Sequence, residues 1–182
     1  MLFRSRVGYD ALRISVAQRD RLVERTQAAS LDWTSLVERE IDRAIALPGW
    51  EVERPIFELP DAMTGASIAH NVDALNRRLA EHTGAAPGKT AFFTCASDDL
   101  AYLLNSRGYH IPNASSHLGF LFALGEQVVL FLPEGCDRCP VEVTSYPALQ
   151  VIRRDVAELE RFLARFAVDH VCYGFESVNC AL

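Results

Sequence analysis

Cys95 and His117 are the two residues whose chemistry suggests a reaction, and they lie 22 positions apart in the second half of the chain. Cys95 ends an apolar segment over residues 90–95 that is typical of a buried strand. A short helix capped by Ser97 is predicted to follow, and a helix N-terminus favours the thiolate form of a cysteine. Two carboxylates in the first turn of that helix oppose the thiolate by like charge. Since a thiol nucleophile needs a nearby proton acceptor, His117 is the candidate base.

The segment from residue 94 to residue 108, followed by His117, resembles papain-like and transglutaminase-type thiol enzymes. In those enzymes the nucleophilic cysteine begins a helix and the histidine begins a strand. The resemblance implies that Cys95 is the nucleophile, that His117 is its base, and that the substrate is an amide or an ester. Such a site also has a carboxylate that orients the histidine, and Glu134 and Asp137 are the nearest candidates.

A second pair of thiols, Cys136 and Cys139, has the spacing of half a zinc site. A closed structural zinc site needs four ligands, and the C-terminal segment could supply the others from His170, Cys172 and Cys180. The pair also follows an apolar strand, as the redox cysteines of thioredoxins do, but Pro140 and the residues after it are poor helix formers. The alternative is a turn with two small, partly buried thiols. We therefore expect either no cofactor or one structural zinc ion.

The cysteine count and the chain termini bear on the compartment. Five cysteines, an odd number, predict reduced thiols rather than a disulfide framework. No apolar segment at the N-terminus has the length of a signal peptide, and charged residues interrupt it. The longest apolar run, near residues 118–132, is broken at Gly125 and is too short to cross a bilayer. These features predict a cytoplasmic protein without membrane contact. Abundant arginine beside a single lysine, Lys89, is associated with a bacterial source.

The formal net charge of −6 limits the classes of partner. Binding to nucleic acid depends on neutralising phosphate groups with Lys and Arg, so an acidic balance argues against it. The same balance is compatible with a protein partner that is more basic. Apolar residues make up 49% of the chain, which is enough to form a buried core.

The first 88 residues are predicted to be mainly helical. Ser15 and Gln18 have the spacing of a capping box, in which each side chain bonds to a backbone amide at the start of a helix. Asp32 can cap a second helix, and Gly84 follows the third as its C-cap. The apolar spacing places these helices at residues 16–28, from residue 32 to residue 47, and over residues 66–82.

The remaining residues, 89–182, predict an α+β arrangement. Two apolar runs around Gly125 and Glu126 indicate a β-hairpin. The expected elements are a strand over 90–95, a helix over 98–107, a strand within 141–151, a helix from residue 155 and a strand over 171–175. The predicted fold is thus a single α+β domain, with a helical N-terminal half followed by a mostly antiparallel β-sheet with packed helices.

The segment over residues 126–166 supports a different function. Its hairpin, irregular strand and closing amphipathic helix resemble the C-terminal part of bacterial immunity proteins of the SUKH type. Those proteins are acidic, non-catalytic α+β modules that bind and block a toxin. The resemblance implies an immunity or antitoxin-type inhibitor, and we favour this binding module over the thiol enzyme. Geometry separates them, because only the enzyme requires Cys95 and His117 within hydrogen-bond reach.

Overall fold

The computed structural model describes most of the chain with a few gaps. The described residues are 6–10, 14–26, 31–36, 52–86, 88–111, 113–132, 136, 138–153, 161–162, 164–166 and 168–174. The chain divides into two compact units, one formed by residues 1–49 with 174–182 and the other by residues 50–173.

The first unit contains two strands and one helix among its described residues. Strands β1 (Arg6–Asp10) and β2 (Asp32–Leu36) pair in parallel, and helix α1 (Val16–Thr26) connects them. The amide of Gln18 donates to Ser15 Oγ at 3.1 Å, and the amide of Ser15 donates to Gln18 Oε1 at 2.9 Å. The predicted capping box is confirmed, because both side chains bond to amides at the helix start.

The second unit contains a mixed five-stranded sheet. Its strands are β4 (Thr90–Thr94), β6 (Phe120–Leu124), β7 (Gln127–Leu132), β9 (Leu149–Arg153) and β10 (His170–Tyr173). The strand order is β10-β4-β6-β7-β9. The three central strands pair antiparallel, whereas β10 and β9 pair in parallel with β4 and β7. The hairpin predicted around Gly125 and Glu126 is confirmed.

Alternation of side chains along the central strands creates two apolar faces. One face contributes Leu121, Ala123, Val128 and Leu130 to a buried cluster that also includes residues from helices α3 (Ile68–Thr83) and α4 (Ser97–Leu103). On the other face, Phe122 and Phe131 contact Phe162, with ring centroids 5.7 and 4.9 Å apart. Strands buried on both faces have continuous apolar runs, as β6 and β7 do.

A second, three-stranded sheet joins distant parts of the same unit. Strand β3 (Ile56–Glu58) lies between β5 (Ser106–Arg107) and β8 (Val141–Glu142), antiparallel to the first and parallel to the second. A one-turn helix, α2 (Asp61–Thr64), follows β3. These short strands bring residues near positions 55, 107 and 140 together.

The α+β class is confirmed at the coarse level, but the helical N-terminal half is not. Three strands, β1, β2 and β3, lie within the first 88 residues. Asp32 begins strand β2 rather than capping a helix. The backbone of β2 is paired with strand β1, a partner that a helix at this position would not have. The sheet is mixed rather than mostly antiparallel. The helix expected from residue 155 lies largely outside the described residues. The expectation of one domain over 1–182 stays a prediction.

The third predicted helix is confirmed as α3, with Gly84 as its C-cap. Gly84 has φ +69°, and its amide donates to the carbonyl of Ala80 at 2.8 Å. This left-handed conformation favours glycine at the end of a helix. Within the described part of the chain, no helix is long and apolar enough to cross a membrane.

Candidate functional site

His117 lies in the interior, where both nitrogens of its ring have partners. The ring is 0% exposed. Nε2 lies 2.8 Å from Ser106 Oγ, and Nδ1 lies 3.3 Å from the carbonyl oxygen of Leu118. A carbonyl can only accept, so Nδ1 carries the proton and Nε2 accepts from the Ser106 hydroxyl. These contacts hold the imidazole in one neutral tautomer.

Burial has a marked effect on the protonation of this ring. Removal from water lowers the pKa of His117 to about 4. The positive charge of Arg107, and that of His110 in its protonated form, lower this pKa further. The hydrogen bond to the Leu118 backbone opposes the shift without offsetting it. Desolvation disfavours the charged imidazolium more than the neutral ring. His117 is therefore neutral at physiological pH.

His110 is the second fully buried histidine of this region. Its Nε2 lies 2.8 Å from the carbonyl oxygen of Arg54, and its Nδ1 accepts from the amide of Leu118 at 3.2 Å. The imidazole of His110 meets that of His117 edge-on, with centroids 6.2 Å apart. The two rings thus connect the loop before β6 to the residues before β3.

Cys139 completes this group of buried polar side chains, which we call the histidine cluster (Ser106, His110, His117 and Cys139). Its thiol donates to the carbonyl of Arg54 at 3.1 Å and lies 3.5 Å from His110 Nε2. Burial raises the pKa of the Cys139 thiol, although a backbone hydrogen bond from Ile56 and the charge of Arg153 oppose the shift. The Arg54 carbonyl therefore accepts from a thiol and an imidazole together.

Close backbone packing seals the cluster. A Cβ atom at Gly108 would lie 2.9 Å from the Cβ of His117, closer than real Cβ atoms approach. Only glycine lets the chain after β5 pass so near the histidine. Every member of the cluster is at most 1% exposed. The arrangement suits a structural clamp rather than a site that a substrate enters.

Cys95 lies between β4 and α4 and is half-buried. The Thr94 hydroxyl donates to Asp99 Oδ2 at 2.8 Å and accepts from the amide of Ala96 at 3.1 Å, so these neighbours organise the helix start. Because Thr94 pairs with Leu121, Cys95 and His117 do approach the same end of the sheet. The ring nitrogens of His117, however, are bonded to Ser106 and Leu118. The proposed orienting carboxylates Glu134 and Asp137 lie outside the described residues.

Cys136 and Cys139 are both buried and close to each other along one turn. The amide of Cys139 donates to the carbonyl of Cys136 at 3.0 Å. Among the described residues, no group of three or more His, Cys, Asp or Glu side chains is placed to hold a metal ion. His170 and Cys172 belong to β10, and Cys180 lies outside the described residues. The described residues therefore do not show the four ligands that a structural zinc site needs, and zinc at Cys136 and Cys139 stays a prediction.

The family of this chain follows from comparison with known proteins. The family model described as the creatinase/prolidase N-terminal domain matches residues 50–182, nearly three quarters of the chain. The chain belongs to the creatinase/prolidase N-terminal domain family. No curated protein shows a significant match to this chain.

A solved structure shares the fold of this family member. It is the X-prolyl aminopeptidase of Caenorhabditis elegans, described as a cytosolic enzyme with a di-nuclear active site. The TM-score is 0.70 at 19% sequence identity, over 90% of this chain. The chain spans only 26% of the length of that enzyme. The likeness therefore establishes the fold, and the activity of the whole enzyme does not transfer with it.

Family membership overturns both functions predicted from the sequence. The chain is not an immunity module of the SUKH type, because its residues 50–182 match a peptidase-associated domain instead. The papain-like interpretation fails for the same reason. The catalytic roles of Cys95 and His117 were predicted from that resemblance, so they lose its support. The residues described here also do not fit a di-nuclear centre, since they supply no cluster of metal ligands.

Sequence reasoning missed His110 and the Arg54 carbonyl. His110 follows a glycine and a tyrosine in a loop with no periodic pattern, so its burial had no sequence signal. The carbonyl of Arg54 is a backbone group, and its two donors come from 56 and 85 residues away. Only the pairing of β3 with β5 and β8 brings them together.

Proposed function

We propose that this chain is a peptidase domain that binds a peptide with proline near its amino terminus. In this account, a catalytic centre outside the described residues cuts the peptide. The observation that carries the proposal is the family match over residues 50–182, which takes in all of the compact unit formed by residues 50–173. A complete folding unit of the chain thus corresponds to a named domain of creatinase and prolidase proteins.

The substrate class is supported by the similar enzyme and by charge. The solved relative is described as an X-prolyl aminopeptidase, which names proline next to the cleaved bond. The chain has a net charge of −6, and a peptide with a free amino terminus brings a positive charge. Attraction between the two favours binding. In this proposal, a peptide with a charged amino terminus takes the place of the more basic protein partner predicted from composition.

Two exposed tyrosines flank strand β5 and are candidates for contact with the proline ring. Tyr102 on α4 is 70% exposed, and Tyr109, two residues past β5, is 48% exposed. The ring of Tyr109 lies 6.2 Å from that of Phe57 on β3, which gives it a fixed support. Aromatic surfaces are the usual platform for proline-rich segments.

The experiment compares a tripeptide with proline at its second position with the same tripeptide carrying alanine there. Binding to the 182-residue protein is followed by amide chemical shifts. We expect shifts near Tyr102 and Tyr109 with the proline peptide, and at least a threefold weaker response, roughly 0.7 kcal/mol, with the alanine peptide. Equal binding of the two peptides, or no binding of either, would overturn the proposal.

Substitutions locate the contact. Tyr102→Ala and Tyr109→Ala should each weaken binding of the proline peptide several-fold. Tyr173→Ala is the matched control, because Tyr173 is also 48% exposed but lies on β10. An equal loss in all three variants would contradict a site beside β5. We also propose a cytoplasmic location, which is supported by the cytosolic description of the similar enzyme.

A further inference from the structure

The backbone between β7 and β8 brings two buried cysteines, Cys136 and Cys139, close together. The amide of Cys139 donates to the carbonyl of Cys136 at 3.0 Å, which closes a four-residue turn. Such turns bring their first and last Cα atoms within about 7 Å. Disulfides join Cα atoms about 4.4–6.8 Å apart. The backbone of the turn therefore already has the spacing that a disulfide requires.

The surroundings of the pair restrict which oxidant can react. Cys136 and Cys139 are 0% and 1% exposed and belong to the same apolar cluster. A bulky oxidant such as a glutathione disulfide cannot reach a buried sulfur without opening the fold. Hydrogen peroxide is little larger than water and can enter through small fluctuations. Burial therefore excludes large disulfides more strongly than it excludes peroxide.

We propose that Cys136 and Cys139 form a reversible disulfide when hydrogen peroxide oxidises the protein. The sulfur of one deprotonated thiol attacks a peroxide oxygen, the O–O bond breaks, and a sulfenic acid and hydroxide form; the hydroxide takes up the released proton as water. The second thiol then attacks the sulfenic sulfur, the S–O bond breaks, and a second water leaves. The two thiols together lose two electrons and two protons, and the peroxide is reduced to two waters. This inference does not depend on the proposed function.

The disulfide changes the histidine cluster. Cys139 loses the S–H group that donates to the Arg54 carbonyl at 3.1 Å, so His110 is left as the donor to that oxygen. The residue after Cys139 is Pro140, and its carbonyl accepts a hydrogen bond from the amide of Ile56 at 2.8 Å. Loss of the thiol donor should loosen the attachment of β3 to β8 at this point. Oxidation of Cys136 and Cys139 should therefore weaken the pairing of β3 with β8 in the three-stranded sheet.

Peptide mapping tests the bond directly. Arg138 lies between the two cysteines, so trypsin separates them into different peptides unless a disulfide joins them. The native protein is treated with peroxide, alkylated in denaturant and digested. We expect a joined pair of peptides that dithiothreitol separates, and no joined pair in Cys136→Ser or Cys139→Ser. Oxidation of Cys95 and Cys172 without any joined pair would overturn the proposal, as would stoichiometric zinc in the purified protein.

Hydrogen exchange tests the structural consequence. The amide of Ile56 should exchange about fivefold to tenfold faster after oxidation, since one hydrogen bond of the adjoining network is lost. Cys139→Ser keeps a donor for the Arg54 carbonyl and should exchange at the reduced rate with or without peroxide. Unchanged exchange in an oxidised sample that contains the joined peptides would overturn the coupling to β3.

Discussion

Asn71 on α3 donates through Nδ2 to Asn105 Oδ1 across 3.0 Å, and both side chains are almost fully buried. Asn105 extends this hydrogen-bond network, since its own Nδ2 donates to the carbonyl of Ala66 at 2.6 Å. Its carbonyl accepts from the amide of Leu59 at 2.7 Å. One asparagine thus joins α3, the turn after α4 and the segment after β3.

Asn105 should be sensitive to substitution for two reasons. It has φ +45°, which asparagine tolerates better than alanine does, and it bonds to three segments. We expect Asn105→Ala to lower the free energy of unfolding by about 2–4 kcal/mol, from lost hydrogen bonds and backbone strain. Asn113→Ala is the control, because Asn113 is exposed with φ +63°. Urea unfolding of both variants should show at least a twofold larger loss at Asn105; equal losses would contradict the network.

His117 should make stability depend on pH. Its pKa in the folded protein is about 4 against an ordinary value of 6.5. Between these values the unfolded chain binds more protons, so the neutral ring stabilises the fold above pH 6.5 and the contribution is lost as pH falls toward 4. The shift corresponds to at most about 3 kcal/mol.

The measurement is the difference in unfolding free energy between the wild type and His117→Gln at pH 7.5 and pH 4.5. We expect the wild-type advantage to shrink at the lower pH, because glutamine does not titrate. His70→Gln is the control, since His70 is exposed on α3. A wild-type advantage that is the same at both pH values would show that the buried imidazole does not resist protonation.

Gly108 should not accept a larger side chain. A Cβ there meets the Cβ of His117 at 2.9 Å, with the carbonyl of Pro55 at 3.6 Å. We expect Gly108→Ala to cost about 1–3 kcal/mol of stability, because the backbone must shift away from the histidine. Gly65→Ala is the comparison, since a Cβ at Gly65 meets nothing within 4 Å and only its φ of +80° opposes alanine. Thermal unfolding that shows the same loss for both variants would contradict the close packing at His117.

Glu58 should stabilise the loop after β8 in its charged form. Burial raises the pKa of the Glu58 carboxyl, but hydrogen bonds from Ser145 and Thr144 outweigh burial and lower it overall. The amides of these residues donate to Glu58 Oε2 at 3.0 and 2.9 Å. The stabilisation is therefore present above the ordinary carboxyl pKa and is lost as pH falls from that value through the lower pKa of the folded protein. We expect Glu58→Gln to speed exchange of the Thr144 and Ser145 amides at pH 7, and by a smaller factor at pH 3; identical exchange at pH 7 would contradict the contact.

Local signals predicted local structure well. The capping box at Ser15 and Gln18, the glycine that ends α3 and the hairpin at Gly125 all depend on residues a few positions apart. Asp32 was assigned to a helix because its side chain can cap one, and the competing partner, β1, lies 22 or more residues earlier. Strands β3, β5 and β8 are two or three residues long, too short for any periodic pattern to indicate.

The candidate site was harder to predict for the same reason. Cys95 and His117 have the chemistry of a thiol site, but the choice between catalysis and structure depends on where the imidazole nitrogens point. In the structure those nitrogens lie beside Ser106 and the Leu118 carbonyl, and neither residue is distinctive in sequence. The net charge of −6 and the five cysteines are general properties of the chain, and neither identifies its family.

The most direct test of this account is binding of the proline tripeptide to the intact 182-residue protein, followed by amide chemical shifts with the alanine tripeptide as reference. The account predicts shifts concentrated beside β5 that weaken in Tyr102→Ala and Tyr109→Ala and persist in Tyr173→Ala. Shifts of equal size with both peptides, or shifts unaffected by the two tyrosine variants, would contradict the proposal that this domain recognises proline-containing peptides there.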